Sequence, residues 1–166
     1  MEVGMTNKQF YAACCGNEGG LFRKVFAAVP DSALDTRPEP KARSPRELMG
    51  HMIGHDQDCV ELIEDGVIHH RNVVPFETVE EALAMYDEAH GALVDKLSGM
   101  GDEAWGAQAQ MLVGDHVAWE GSAGEIMWGL LFDSIHHRGQ LTTHLRPNGG
   151  KVPALYGPSA DEPGHA

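Results

Sequence analysis

The chain has 166 residues and a formal net charge of −13, a balance that argues against binding to a phosphate backbone. Its apolar and charged fractions are those of an ordinary globular domain, its length suits a single core spanning residues 1–166, and no apolar run reaches membrane-spanning length. Three cysteines, with Cys14 and Cys15 adjacent, do not make a disulfide framework, and no secretion signal opens the sequence, so a reducing cytoplasm is expected.

Four segments read as helices, and each opens with a Ser or Thr followed three residues later by Glu or Gln: Thr6/Gln9, Ser44/Glu47, Thr78/Glu81 and Ser122/Glu125. In such a capping box the hydroxyl accepts from the backbone of the first turn while the longer side chain returns to the cap's own N–H. The first helix is predicted over Asn7–Val29, ending at Pro30. Its inward stripe is Phe10, Cys14, Leu21, Val25 and Ala28, with a kink or break expected at Gly16, Gly19 and Gly20. The loop from Pro30 to Arg43 is rich in proline and charge. The second helix is predicted over Pro45–Glu64, with Pro45 at its first position and Gly66 beyond its end. Its stripe is Leu48, His51, Met52, His55, Cys59 and Leu62.

After a loop from Val67 to Glu77, the third helix is predicted over Val79–Leu97, with Val79, Leu83, Tyr86, His90, Leu93 and Leu97 inward. The long connection Ser98–Gly121 contains Gln110–Val113 and His116–Trp119 on either side of Gly114-Asp115, a pattern for a short ribbon. The fourth helix is predicted over Ala123–Arg146 and is halted by Pro147; the tail to Ala166 is irregular. The expected fold is all-α, a four-helix bundle with long crossover loops.

The chemistry concentrates in the second and fourth helices. Asp133 and His137 are four residues apart, one turn above each other on a face that also carries Ile126, Leu130 and Leu141. An inward carboxylate and imidazole are costly unless satisfied, and a divalent metal ion accepts both. His51, with His55 one turn on, faces them from the second helix, and two packed helices lie close enough for their side chains to converge on one ion. A hydrogen-bonded Asp133/His137 pair without metal is the alternative. His90 is expected to be a core histidine, His144 a rim residue and His136 a surface or supporting one; His69, His70, His116 and His165 are given no role. Cys14 and Cys59 are expected in the core, and Cys15 alone has an arguably exposed face.

His137-Arg138-Gly139-Gln140-Leu141, Leu145-Arg146-Pro147, Gly150-Lys151-Val152-Pro153 and Tyr156-Gly157 together resemble the DinB-like family, and Ser44-Pro45-x-Glu47-Leu48-x-x-His51-Met52-Ile53 is similar to that family's second helix. The resemblance implies a four-helix bundle of DinB-like topology, often dimeric, with a divalent zinc, nickel or iron ion held at positions that are His51, Asp133 and His137 here. The family commonly has histidine where Asp133 stands, so His55 could take that place. It further implies a metal-dependent thiol S-transferase or hydrolase-like activity on a small thiol or electrophile; the alternative is a non-catalytic metal-binding stress-response protein acting as a dimer or through a partner. It implies a homodimer, and supporting roles for Arg138, paired with an acid on the second or third helix, for Gly139 at a close helix approach and for Gln140 as a hydrogen-bonding neighbour.

Overall fold

A computed structural model describes residues 4–164; His165 and the first three residues lie outside them. The chain is mostly helical, with α1 at Asn7–Ala27, α2 at Pro45–Asp65, α3 at Val79–Gly99, the short α4 at Asp102–Gly106 and α5 at Ala123–Leu145. Three strands complete it: β1 at Val67–His69, β2 at Gln108–Val113 and β3 at His116–Ser122. The all-α expectation is therefore corrected to a helical fold with a small sheet, and the expected four helices to five.

The caps form where their sequence pattern stands. Thr6, Ser44 and Ser122 each make the full reciprocal box. Thr78 makes half of one, because the Glu81 carboxylate accepts from the N–H of Glu77 instead. The backbone of Gly66, at φ 72°, closes α2 in the left-handed conformation that glycine adopts freely. The three glycines of α1 do not break it. Its inward face is one residue out of phase with the predicted stripe: Tyr11, Cys15, Phe22, Val25 and Phe26 are buried, while Phe10 is 54% exposed. Cys15 is thus a core residue and Cys14 half-buried, the reverse of the reading from sequence. The predicted stripe of α2 is buried throughout.

α2 packs against both α3 and α5, and α1 packs across the same pair. The rings of Phe22, Phe26 and Tyr86 meet in the core between α1 and α3, joined by Leu48, Met52, Ile126 and Leu141 from the other elements. The ribbon β2–β3 extends further than predicted and turns through Gly114-Asp115, with Gly114 at φ 60°. The strand β1, in a segment expected to be loop, pairs in parallel with β2. The backbone then continues the ladder, His70 N–H donating to the Leu112 carbonyl at 2.9 Å.

Arg138 is 2% exposed and lies inside this frame. Its guanidinium sits over the Phe22 ring at 4.6 Å, pairs with Glu18 and donates to the Tyr156 hydroxyl. Its acid partner is therefore on α1, not on α2 or α3, because α1 is the element that crosses this side of α5. The interaction joins α1, α5 and the C-terminal segment. Gly139 is exposed with open space around it, so it mediates no close helix approach. Removing one partner of a buried ion pair leaves the other charge uncompensated. Arg138→Ala is therefore expected to lower unfolding free energy by about 3 kcal/mol, measured by urea denaturation, with Glu18→Ala smaller because Glu18 is nearer solvent.

Candidate metal centre

His51, His55, Asp133 and His137 meet where α2 faces α5. Capping of α2 at Ser44 fixes its helical phase, and the 3.6-residue repeat then stacks the two α2 imidazoles, with ring centres 4.2 Å apart. The carboxylate of Asp133 is the shared neighbour: its Oδ2 lies 3.2 Å from His137 Nε2, 3.4 Å from His51 Nε2 and 3.7 Å from His55 Nε2. Asp133 does not point into the core as expected. Its side chain is 46% exposed and stands at the mouth of the site, while His51 and His55 form the buried floor.

Each imidazole is held by its other nitrogen. His51 Nδ1 donates to the Asn72 carbonyl at 2.6 Å. His137 Nδ1 pairs with Gln140 Oε1 at 2.7 Å, and His55 Nδ1 with the Ser134 hydroxyl at 2.9 Å. Such outer contacts fix the ring and decide which nitrogen is left for a ligand. A carbonyl oxygen can only accept, so the proton of His51 is on Nδ1. Burial pushes the pKa of His51 down to about 4, helped by the Arg43 charge, and that of His55 down to about 2, helped by the neighbouring histidines. At neutral pH these rings are uncharged. The Nε2 lone pair of His51 therefore faces a carboxylate oxygen across 3.4 Å, two acceptors that a cation between them would satisfy.

The geometry fits one. Donors about 2.1 Å from a single ion at tetrahedral angles stand about 3.4 Å apart, close to the 3.2 and 3.4 Å separations around Asp133. Mixed imidazole and carboxylate donors suit zinc, nickel or iron. Among the described residues, two groups bring three donor atoms within 4.8 Å of one another, and both include His51: His51/Asp133/His137 and His51/His55/His70.

His70 is the residue that sequence reasoning missed. It reaches the site because β1 pairs with β2 and carries the following residue back over α2. Its Nδ1 contacts Asp58 at 2.7 Å, and Asp58, fully buried, also accepts from Arg71. No local spacing signals it; the available cue was the apolar pair Val67-Ile68 opening a segment read as loop.

The other histidines sort more simply. His90 pairs with Asp56 at 2.8 Å and stacks on Tyr86, away from the centre. His144 is buried rather than at a rim. His136 is exposed and meets Gln140. His69 and His116 are exposed.

A cavity of about 320 Å³ opens on the imidazoles, walled by Met111, Trp119, Gly129 and Leu130. Trp119 lies so close over Gly129 that a side-chain carbon there would fall 2.1 Å from the ring. The bare α-carbon one turn before Asp133 is what lets the indole wall the cavity.

A family model described as the DinB superfamily matches residues 18–141, which include every donor named above. The chain belongs to the DinB superfamily. Two solved structures share its fold. A DinB-like protein from Bacillus cereus ATCC 10987 is 16% identical, with a TM-score of 0.72 over 88% of this chain and 95% of the other. A DinB-like protein from Bacillus subtilis is 13% identical, with a TM-score of 0.70 over 87% and 96%. No curated protein sequence matches the chain significantly. Among the described residues of this DinB-superfamily protein, no helix is long and apolar enough to cross a membrane.

The depressed imidazole pKa values make stability depend on pH. Above about pH 6.5, the ordinary histidine value, folded and unfolded chains hold these rings alike. Below it the unfolded chain takes up protons that His51 refuses until about pH 4 and His55 until about pH 2. The metal-free protein should therefore lose stability as pH falls from 6.5 towards 4, by up to about 1.4 kcal/mol per pH unit for each ring. Denaturant melts across that range should show a shallower slope in His55→Gln.

Proposed function

We propose that this DinB-superfamily protein binds a divalent ion between α2 and α5 and is an enzyme that uses it on a small thiol or on water, within the cytoplasm. The observation that carries the reading is the bare His51 nitrogen set against the Asp133 carboxylate at 3.4 Å, with His137 closing the triangle. His51, Asp133 and His137 would hold the ion, of which zinc, nickel and iron are the candidates. Such an ion lowers the pKa of a bound thiol or water, supplying a nucleophile near neutral pH.

The protein's own contribution is positional. Asn72 and Gln140 keep the ring nitrogens of His51 and His137 aimed inward. Trp119, Met111 and Leu130 give the cavity an apolar wall. Asp133, at the mouth, leaves the outward side open to a small thiol or electrophile.

One observation favours a second reading. His55 and His70 place further imidazoles on the same cavity, and a fourth protein donor would close the coordination sphere, as in purely structural sites. The protein would then be a metal-binding stress protein without catalysis.

Metal analysis of untagged protein loaded with zinc, nickel or ferrous iron tests both readings. About one ion per chain is expected for the wild type, with loss in Asp133→Ala and His137→Ala and retention in His55→Ala. A metal-dependent rate with a low-molecular-weight thiol and an electrophile supports the enzyme. Tightly held metal that admits no added thiol supports the structural alternative, and protein that takes up no metal overturns both.

We also propose a homodimer. Phe10 and Phe132, 54% and 61% exposed, flank Trp128 in a surface row of aromatic rings, and such rows favour burial against a partner. Light scattering should give twice the chain mass for the wild type and a monomer for Phe132→Asp.

A further inference from the structure

A second cavity, of about 350 Å³, lies on the other side of His137 and is lined by Lys41, Arg43, Gln140 and His144. Two cations on one concave surface stand out in a chain of net charge −13. The Arg43 guanidinium is only half used. Its Nη2 donates to the Asn72 side chain at 3.1 Å, but its Nη1 is, among the described residues, the one buried side-chain nitrogen or oxygen without a hydrogen-bond partner.

The neighbouring carboxylate makes its hydrogen bonds elsewhere. Glu47 is occupied by Arg37 and by the N–H of Ser44 at the α2 cap. A buried charged donor left unpaired is expensive, and a guanidinium recognises planar or tetrahedral oxyanions through several N–H groups at once.

We propose that this cavity is a binding site for the anionic group, carboxylate or phosphate, of a small molecule whose other end reaches the His51/Asp133/His137 centre. The Arg43 guanidinium receives the anion from within, and the exposed Lys41 ammonium from the solvent side. His137 both lines this cavity and belongs to the centre, so the molecule carries its charge a few bonds away from its reacting group. Asn72 ties the two sites together: its side chain holds Arg43 and its backbone carbonyl holds His51. The orientation towards the centre rests on the metal reading above; the anion site itself does not.

The test is a titration of metal-free protein at pH 7.5 with succinate and, separately, with inorganic phosphate. Ionic strength is held constant with sodium chloride, and binding is read from amide chemical shifts and melting temperature. A saturable response to one of the two anions is expected, identifying the group as carboxylate or phosphate. Half-saturation should be about tenfold weaker in Arg43→Met, the loss of one charge-assisted hydrogen bond, and severalfold weaker in Lys41→Gln. Lys41 is exposed, so its variant keeps the test valid should Arg43→Met fail to fold.

No saturable response to either anion, or unchanged affinity in the Arg43 and Lys41 variants, overturns the proposal. Metal uptake by the same preparations separates the two readings: protein that binds metal but no anion sinks this site alone, and protein that binds anion but no metal sinks the centre alone.

Discussion

A bare imidazole nitrogen held against a carboxylate oxygen is the contact on which the candidate centre depends. Burial removes the proton that would otherwise reconcile His51 with Asp133. The Asn72 carbonyl then fixes the remaining proton on the far side of the ring. The two groups come from different helices, so their opposition is an unfavourable contact across the α2–α5 interface that packing must hold in place. The proposed ion turns that opposition into attraction. It would accept both groups with no change of ring orientation, because the outer hydrogen bonds have set the geometry in advance.

What holds the interface is ordinary by comparison. The apolar faces of α1, α2, α3 and α5 share one continuous core, and burial of that surface is the main favourable contribution to folding. Arg138 adds a polar tie through the same interior, linking α5 to α1 and to the returning C-terminal segment by way of Glu18 and Tyr156. Two candidate donors, Asp133 and His137, lie one turn apart on α5, and Arg138 directly follows the second. Asp133, His137 and Arg138 are consequently positioned by the same packing, and the motif His137-Arg138-Gly139-Gln140 combines a candidate ligand, a structural cation and the glutamine that orients the ligand.

Much of this was legible because local chemistry and global fold agree at particular residues. The hydroxyl and acid pairs at Thr6, Ser44 and Ser122 mark helix starts wherever they occur. The apolar run through Leu48, Met52, Cys59 and Leu62 leaves α2 a single face to bury, so His51 and His55 had to lie on it. The phase of α1 was not legible. Phe10 and Tyr11 are both large and apolar, and three glycines blur the pattern after them; the choice between faces is made by Trp105 and Trp128 packing on Tyr11. Asp133 was placed too deep, because helical spacing gives direction around the axis and says nothing of depth. His70 and Arg138's partner depend on contacts distant in sequence, made by a strand pairing and a helix crossing that no local period encodes.

The short strand β1 has a reach out of proportion to its length. It hands the chain from the glycine stop of α2 to the edge of β2, and the ladder continues through the His70 backbone. Side chains along an extended segment alternate between faces, so adding or deleting one residue after Gly66 would swing the His70 ring to the opposite side. The same shift would turn the fully buried Ile68 out of the core and take His70 away from the buried Asp58. The imidazole that His70 offers to the cavity is thus tied to the same short connection that seats Ile68 in the core, so neither can be changed without the other.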